Sequence, residues 1–146
     1  MNKKRLLIVG GLTFLLALTT LLLWHQSTGA FDVRIIRLHK DTINGGKTIY
    51  IEPNTSWIPK DTVVIWVNQA RPDEVKIMFE DGKQCADVTS SATAFNLEAS
   101  CFVTSWIPSG GTSSLKFNEA GIFEYIVEAS DGVKAKGKIV VSQERY

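Results

Sequence analysis

Hydrophobic and polar positions divide the chain into two regimes. From Leu6 to Trp24, nineteen residues pass without a charge. As a helix rising about 1.5 Å per residue, such a run spans roughly 28 Å, enough to cross the hydrocarbon core of a bilayer. Beyond it, short segments rich in β-branched and aromatic residues alternate with Gly, Pro, Asn and Asp, and none sustains a helical apolar period. This second regime predicts strands at Val33–His39, Thr48–Ile51, Thr62–Val67, Val75–Phe79, Ser114–Phe117, Phe123–Glu128 and Lys136–Ser142. Seven short strands with turn signals between them predict an all-β sandwich.

Turn chemistry supports the same division. Asn44-Gly45-Gly46 separates the first two strands, Pro59-Lys60-Asp61 precedes the third, Asp81-Gly82 follows the fourth, and Asp131-Gly132 precedes the last. Val63 to Val67 form a continuous apolar run, which predicts a central strand buried on both faces. The stretch from Lys83 to Ile107 is long and rich in Ser, Thr and Ala, and it carries no element signal.

Charge orients the first regime. Lys3, Lys4 and Arg5 precede the apolar run, and Trp24, His25 and Gln26 close it. Basic residues favour the cytoplasmic side and Trp suits an interface, so residues 1–5 read as a short cytoplasmic end and 6–24 as a signal anchor. Residues 25–32 then form a linker, and 33–146 are expected as one exported domain at the cytoplasmic (inner) membrane, on its periplasmic or outer side. The competing reading is a signal peptide cleaved near Thr28-Gly29-Ala30. No Cys follows the run at the place a lipid-anchored lipoprotein needs one. After the first five residues, 13 Lys and Arg face 15 Asp and Glu. A mildly acidic domain without a basic stripe argues against nucleic acid as a partner.

Ile58-Pro59-Lys60-Asp61-Thr62-Val63-Val64-Ile65-Trp66-Val67-Asn68 resembles the P-x-G-D-T-V-x-W-x-N strand of cupredoxins such as amicyanin, plastocyanin and pseudoazurin. Phe117 to Tyr125 resembles their F-x-x-x-G-x-Y-x-Y strand, and Lys136-Gly137-Lys138-Ile139-Val140-Val141 resembles their closing G-x-I-x-V strand. The resemblance implies a Greek-key β-sandwich. It also implies where copper ligands would stand, because the family holds copper with two imidazoles, a thiolate and a weak axial sulfur. Asp73, or Glu74 with a one-residue shift, falls at the upstream His, Val127 at the Cys and Ser130 at the downstream His. Val133, or Ala135 in a longer loop, falls at the Met. Valine has no donor atom, so the resemblance implies the fold without the cofactor, and no metal or other cofactor is expected.

Other chemistry is sparse. His25 and His39 are the two histidines, and neither has a metal-site spacing to Cys, His or carboxylate. No nucleophile elbow, phosphate loop or glycine fingerprint occurs, so a non-enzymatic role is expected. Cys85 and Cys101, the two cysteines, are expected to pair in an oxidising compartment. Closing that loop would constrain the unfolded chain by about 3 kcal/mol. Thr55-Ser56-Trp57-Ile58-Pro59 recurs as Thr104-Ser105-Trp106-Ile107-Pro108. One reading makes the two copies equivalent strand-opening turns with Trp and Ile in the core. The other leaves Trp57 and Trp106 partly exposed at one end as an interaction surface.

These readings converge on a membrane-anchored, copper-free module that serves as an interaction or structural subunit, its partners the bilayer and other membrane-complex subunits. Two alternatives stand beside it. One is an electron carrier or copper-handling protein with unorthodox ligands such as His39, Met78, Asp73 and Glu74. The other is a sensor binding a small ligand at the Trp-bearing end.

Overall fold

Alternation at single-residue spacing decides how this chain folds. A computed structural model describes residues 32–41 and 48–143. The basic end, the anchor at 6–24, the linker up to residue 31 and the Asn44-Gly45-Gly46 turn lie outside the described residues. No described helix is long and apolar enough to cross a membrane.

The strands are β1 (Val33–Lys40), β2 (Ile49–Glu52), β3 (Thr55–Pro59), β4 (Thr62–Asn68) and β5 (Val75–Phe79), followed by the helix α1 (Gly82–Val88). Then come β6 (Thr89–Thr93), β7 (Phe95–Glu98), β8 (Cys101–Thr104), β9 (Thr112–Phe117), β10 (Gly121–Ala129) and β11 (Lys134–Ser142). They form a five-stranded sheet ordered β2-β1-β4-β9-β6 and a six-stranded sheet ordered β3-β11-β10-β5-β8-β7. Among the described residues only β1–β2, β7–β8 and β10–β11 are neighbours in both sequence and sheet. The other connections return to non-consecutive partners or cross between sheets, and β1–β4 and β3–β11 are parallel. The seven expected strands are all present, with ends shifted by a residue or two.

Three differences from expectation have physical causes. Thr55–Pro59 is itself a strand rather than a turn, because it pairs with β11 along Thr55 to Pro59. The stretch after Lys83, which carried no element signal, holds α1, β6, β7 and β8. Gly82 permits that helix to dock, since a Cβ there would meet the backbone of Cys101 and Phe102. Finally, β4 is not buried on both faces. Thr62, Val64, Trp66 and Asn68 are buried, whereas Val63, Ile65 and Val67 are half-buried on the outer face.

The core between the sheets centres on Trp66, which is fully buried and meets Tyr125, Phe95 and Phe79 edge-on at ring-centroid separations of 5.6, 5.8 and 6.1 Å. Such tilted pairs add about 0.5–1.5 kcal/mol each beyond area burial. Phe79 also packs on Phe117 and Tyr125, and Phe95 stacks on Phe102 at 5.1 Å. Burial pushes the Tyr125 hydroxyl up to about 12. Directly opposite Tyr125 in the β10–β11 ladder stands Gly137, where a Cβ would overlap the phenol ring. Glycine is required there by close approach. Gly137→Ala is therefore expected to lower stability by about 1–3 kcal/mol, read as a lower denaturant midpoint with a changed near-ultraviolet Trp and Tyr signal. An unchanged midpoint would show that Tyr125 is free to move aside.

Candidate functional site

The end of the sandwich where β1 and β4 finish is built around a buried amide. Asn68 is adjacent to Leu38 in the parallel β1–β4 ladder and is fully buried. Its Nδ2 donates to the carbonyls of Asp73 (2.9 Å) and Ile107 (2.8 Å), and its Oδ1 accepts from the Ala70 amide (2.9 Å). Its backbone N–H donates to Gly111 and its carbonyl accepts from Gly110. One residue thus ties the loop after β4 to the loop before β9. A buried polar group lost from such a network leaves several donors and acceptors unpaired.

That loop delivers Asp73 to Lys40, the last residue of β1. The Lys40 ammonium donates to Asp73 Oδ2 at 2.8 Å and to Asp131 Oδ2 at 2.6 Å, and its side chain is 7 % exposed. Ser130 Oγ donates to the other Asp73 oxygen at 3.2 Å, and the Ser130 amide donates to the Glu74 carbonyl. Asp131 sits in the β10–β11 turn, where Gly132 adopts a φ of +85° and Asp131 Oδ1 accepts from the Val133 amide. The two carboxylates raise the Lys40 pKa, Asp131 contributing most. The Lys40 hydrogen bond in turn holds Asp131 below its usual range.

The residues aligned with copper positions meet at this end without sharing one role. Asp73 and Ser130 are bonded to each other and to the Lys40 system. Val127 is fully buried in the core, between Ile77 and Ala135 in the sheet. Val133 is half-buried against the core, and the exposed Glu74 contributes its backbone. His39 pairs with Glu52 at 3.4 Å on β1, whereas Met78 lies on β5 of the other sheet, so these two alternative ligands do not converge with Asp73. Among the described residues, no group of three or more His, Cys, Asp or Glu is placed to hold a metal ion.

The expected bridge between Cys85 and Cys101 is corrected: both are free thiols. The helix α1 turns Cys85 into the core at 2 % exposure, while Cys101 opens β8 half-buried. Burial, with Asp81 adding to it, pushes the Cys85 thiol up to about 12. The tryptophans also part company. Trp57 is 69 % and Trp106 43 % exposed, so neither fills the core, and it is Ile58 and Ile107 that are buried. Trp57 is level with Val140 and Ile122 at the start of β10. Trp106, beneath Lys76, adjoins the Ile107–Val75 bridge level with Ala129 at its end. At about 3.3 Å per residue, the two levels are roughly 23 Å apart. They stand toward opposite ends of the six-stranded sheet rather than at one end.

Lys40 and Asp131 escaped the sequence reading. Lys40 is 33 positions from Asp73 and 91 from Asp131, and Asp131 was legible only as a turn residue.

No family model and no curated protein matches the chain. Among solved structures, the chain is similar to amicyanin from Paracoccus versutus, with 16% identity and a TM-score of 0.47 over 80% of this chain and 86% of that one. It is also similar to a Cu(I) form of an amicyanin mutant, with 17% identity and a TM-score of 0.47 over 80% and 88% of the two chains. At these values the likeness carries no functional statement.

The ion system has a signed pH dependence. Asp131, lowered by folding, contributes stability above the ordinary carboxylate range that is lost as pH falls through its folded value. Lys40, raised by folding, contributes below about 10.4 and is lost as pH rises through its folded value. Lys40→Met, which also leaves two carboxylates facing each other, should melt several degrees below wild type at pH 7. The gap should close toward pH 3. Thermal melts across that range check it, and a gap independent of pH would mean that Lys40 acts through packing alone. A second expected outcome is that Asn68→Ala lowers unfolding free energy by about 2–4 kcal/mol, measured by denaturant titration.

Proposed function

We propose that this chain is a membrane-anchored, copper-free cupredoxin-like module that works as a non-catalytic interaction or structural subunit of a membrane assembly. The observation that carries the reading is the Lys40 ammonium bound between Asp73 and Asp131. A protonated amine committed to the carboxylate aligned with one copper ligand is incompatible with a cation bound beside it. The rest of the donor set does not fit type 1 copper either: Val127 and Val133 offer no donor, and the Ser130 hydroxyl is engaged with Asp73. The anchor at 6–24 supports the membrane part, because a domain held to a surface by a short linker has a raised effective concentration toward membrane partners. An association with an electron-transfer assembly rests on analogy with the family alone.

Isolation of the full-length chain from membranes in mild detergent tests the subunit role. Other membrane subunits are expected to travel with it in fixed ratio, and recovery of the chain without partners under every mild condition would contradict it. Addition of Cu(II) tests the copper-free part separately. The expected result is no intense thiolate-to-copper band in the visible, since Val127 stands where the thiolate would, Cys85 is buried with its thiol held protonated, and among the described residues the half-buried Cys101 belongs to no group of side chains placed to hold a metal ion. Stoichiometric, tightly bound copper with such a band would overturn the reading in favour of an electron carrier.

A further inference from the structure

The alternation of β4 continues past its last residue into the loop that follows. Asn68 and Ala70 are fully buried, Val67 is half-buried, and Gln69 and Arg71 are exposed, so positions 67, 69 and 71 keep the outer parity of the five-stranded sheet. The parallel pairing with β1 runs on by one bond, the Gln69 amide donating to the Leu38 carbonyl at 2.8 Å. Gln69 therefore follows the Leu38–Asn68 pair on the side of His39, which shares the outer parity of Ile35 and Arg37. From the loop before β9, Gly110 closes in with a φ of +85°, its amide donating to the Asn68 carbonyl at 2.7 Å. His39, Val67, Asn68, Gln69, Arg71 and Gly110 line a cleft of about 410 Å³. Its frame is fixed by backbone bonds and by the Asn68 side chain, whose Oδ1 holds the Ala70 amide at 2.9 Å.

We propose that this cleft binds a small anion of the carboxylate or phosphate class, with the Arg71 guanidinium as its principal ligand and the Gln69 amide beside it. Its size falls within the roughly 300–1,000 Å³ of small-molecule sites. The charge of its walls selects an anion. No carboxylate lines it, whereas Asp81 and Glu124 line the cleft beside Cys85 and Asp32 lines the one beside Trp57. Glu52, 3.4 Å from His39 Nε2, belongs to β2 and is not part of the lining. The cation is also available. Lys40, Lys116, Lys134 and Lys138 are each paired with carboxylates of this chain. Among the described residues the Arg71 side chain makes neither an ion pair nor a hydrogen bond, and only its backbone amide is engaged, with the Gln69 carbonyl at 3.0 Å. A planar fork of donors matches two oxygens of a carboxylate or phosphate at once. Val67 adds an apolar wall, which suits a short aliphatic portion on the anion. One loop thus serves two ends: Asp73 goes to the internal cation, and Arg71, two residues earlier, goes to the solvent-facing cleft. The site depends on neither the anchor nor the copper-free reading.

The test is a titration of the full-length chain in non-ionic detergent, followed by nitrogen-15 NMR at the Arg71 Nε–Hε group and the Gly110 amide, with ionic strength held constant by sodium chloride. The free probes are inorganic phosphate and butyrate, and phosphatidylglycerol added to the micelles presents phosphate on a lipid. A saturable shift at both signals with at least one probe is the expected result, weakened about tenfold in Arg71→Gln and unchanged in Lys136→Gln on the other sheet. Saturation by phosphatidylglycerol at lower concentration than by the free probes assigns the site to a headgroup, and the reverse order assigns it to a soluble anion. Arg71→Gln removes no internal contact of the side chain, so the remaining amide signals should stay in place and report an intact fold. Shifts that stay linear with every probe, or equal saturation in Arg71→Gln, would overturn the proposal.

Discussion

A single ammonium between two carboxylates organises one end of this sandwich. Lys40 closes β1, Asp73 comes from the loop between β4 and β5, and Asp131 comes from the turn between β10 and β11. Three segments from two sheets therefore meet at one cation. A charge this little exposed persists only when it is paired and its hydrogen bonds are satisfied. Asn68 supplies the other half of the arrangement, fixing the loop that carries Asp73 before any charge is considered.

The sequence was informative wherever a local pattern determined the outcome. Strands with alternating apolar positions, such as Val75–Phe79 and Phe123–Glu128, appear where expected, because a half-buried strand advertises itself at spacing two. The Lys83–Ile107 stretch was opaque for a physical reason. There β6 buries none of its residues fully, β7 buries only Phe95, and α1 spans less than two turns, so little periodicity is written into the residues. Trp57 and Trp106 misled because identical pentapeptides suggest equivalent places. The first copy became an edge strand and the second straddles the end of β8, so that although both Ile residues are buried and both Trp residues exposed, the two copies stand at different levels of the sandwich. For Lys40 and Asp131 no local signal exists at all, since their partnership is created by topology.

Strand β4 shows how one sequence feature bears on both fold and function. Its inner residues Val64 and Trp66 anchor the aromatic core. Its outer residues are apolar as well, although a strand with one solvated face ordinarily alternates with polar residues. That face therefore carries a surplus of aliphatic side chains over the usual alternation.

The central claim, that Lys40 is a half-buried structural cation held by two carboxylates rather than a free surface lysine, is tested most directly by nitrogen-15 NMR of the lysine ammonium groups. The account predicts a distinct Lys40 signal that exchanges slowly with water, couples to the Asp73 and Asp131 carboxylates, and titrates above the ordinary lysine range. A Lys40 ammonium that exchanges and titrates like the exposed Lys136 would contradict it.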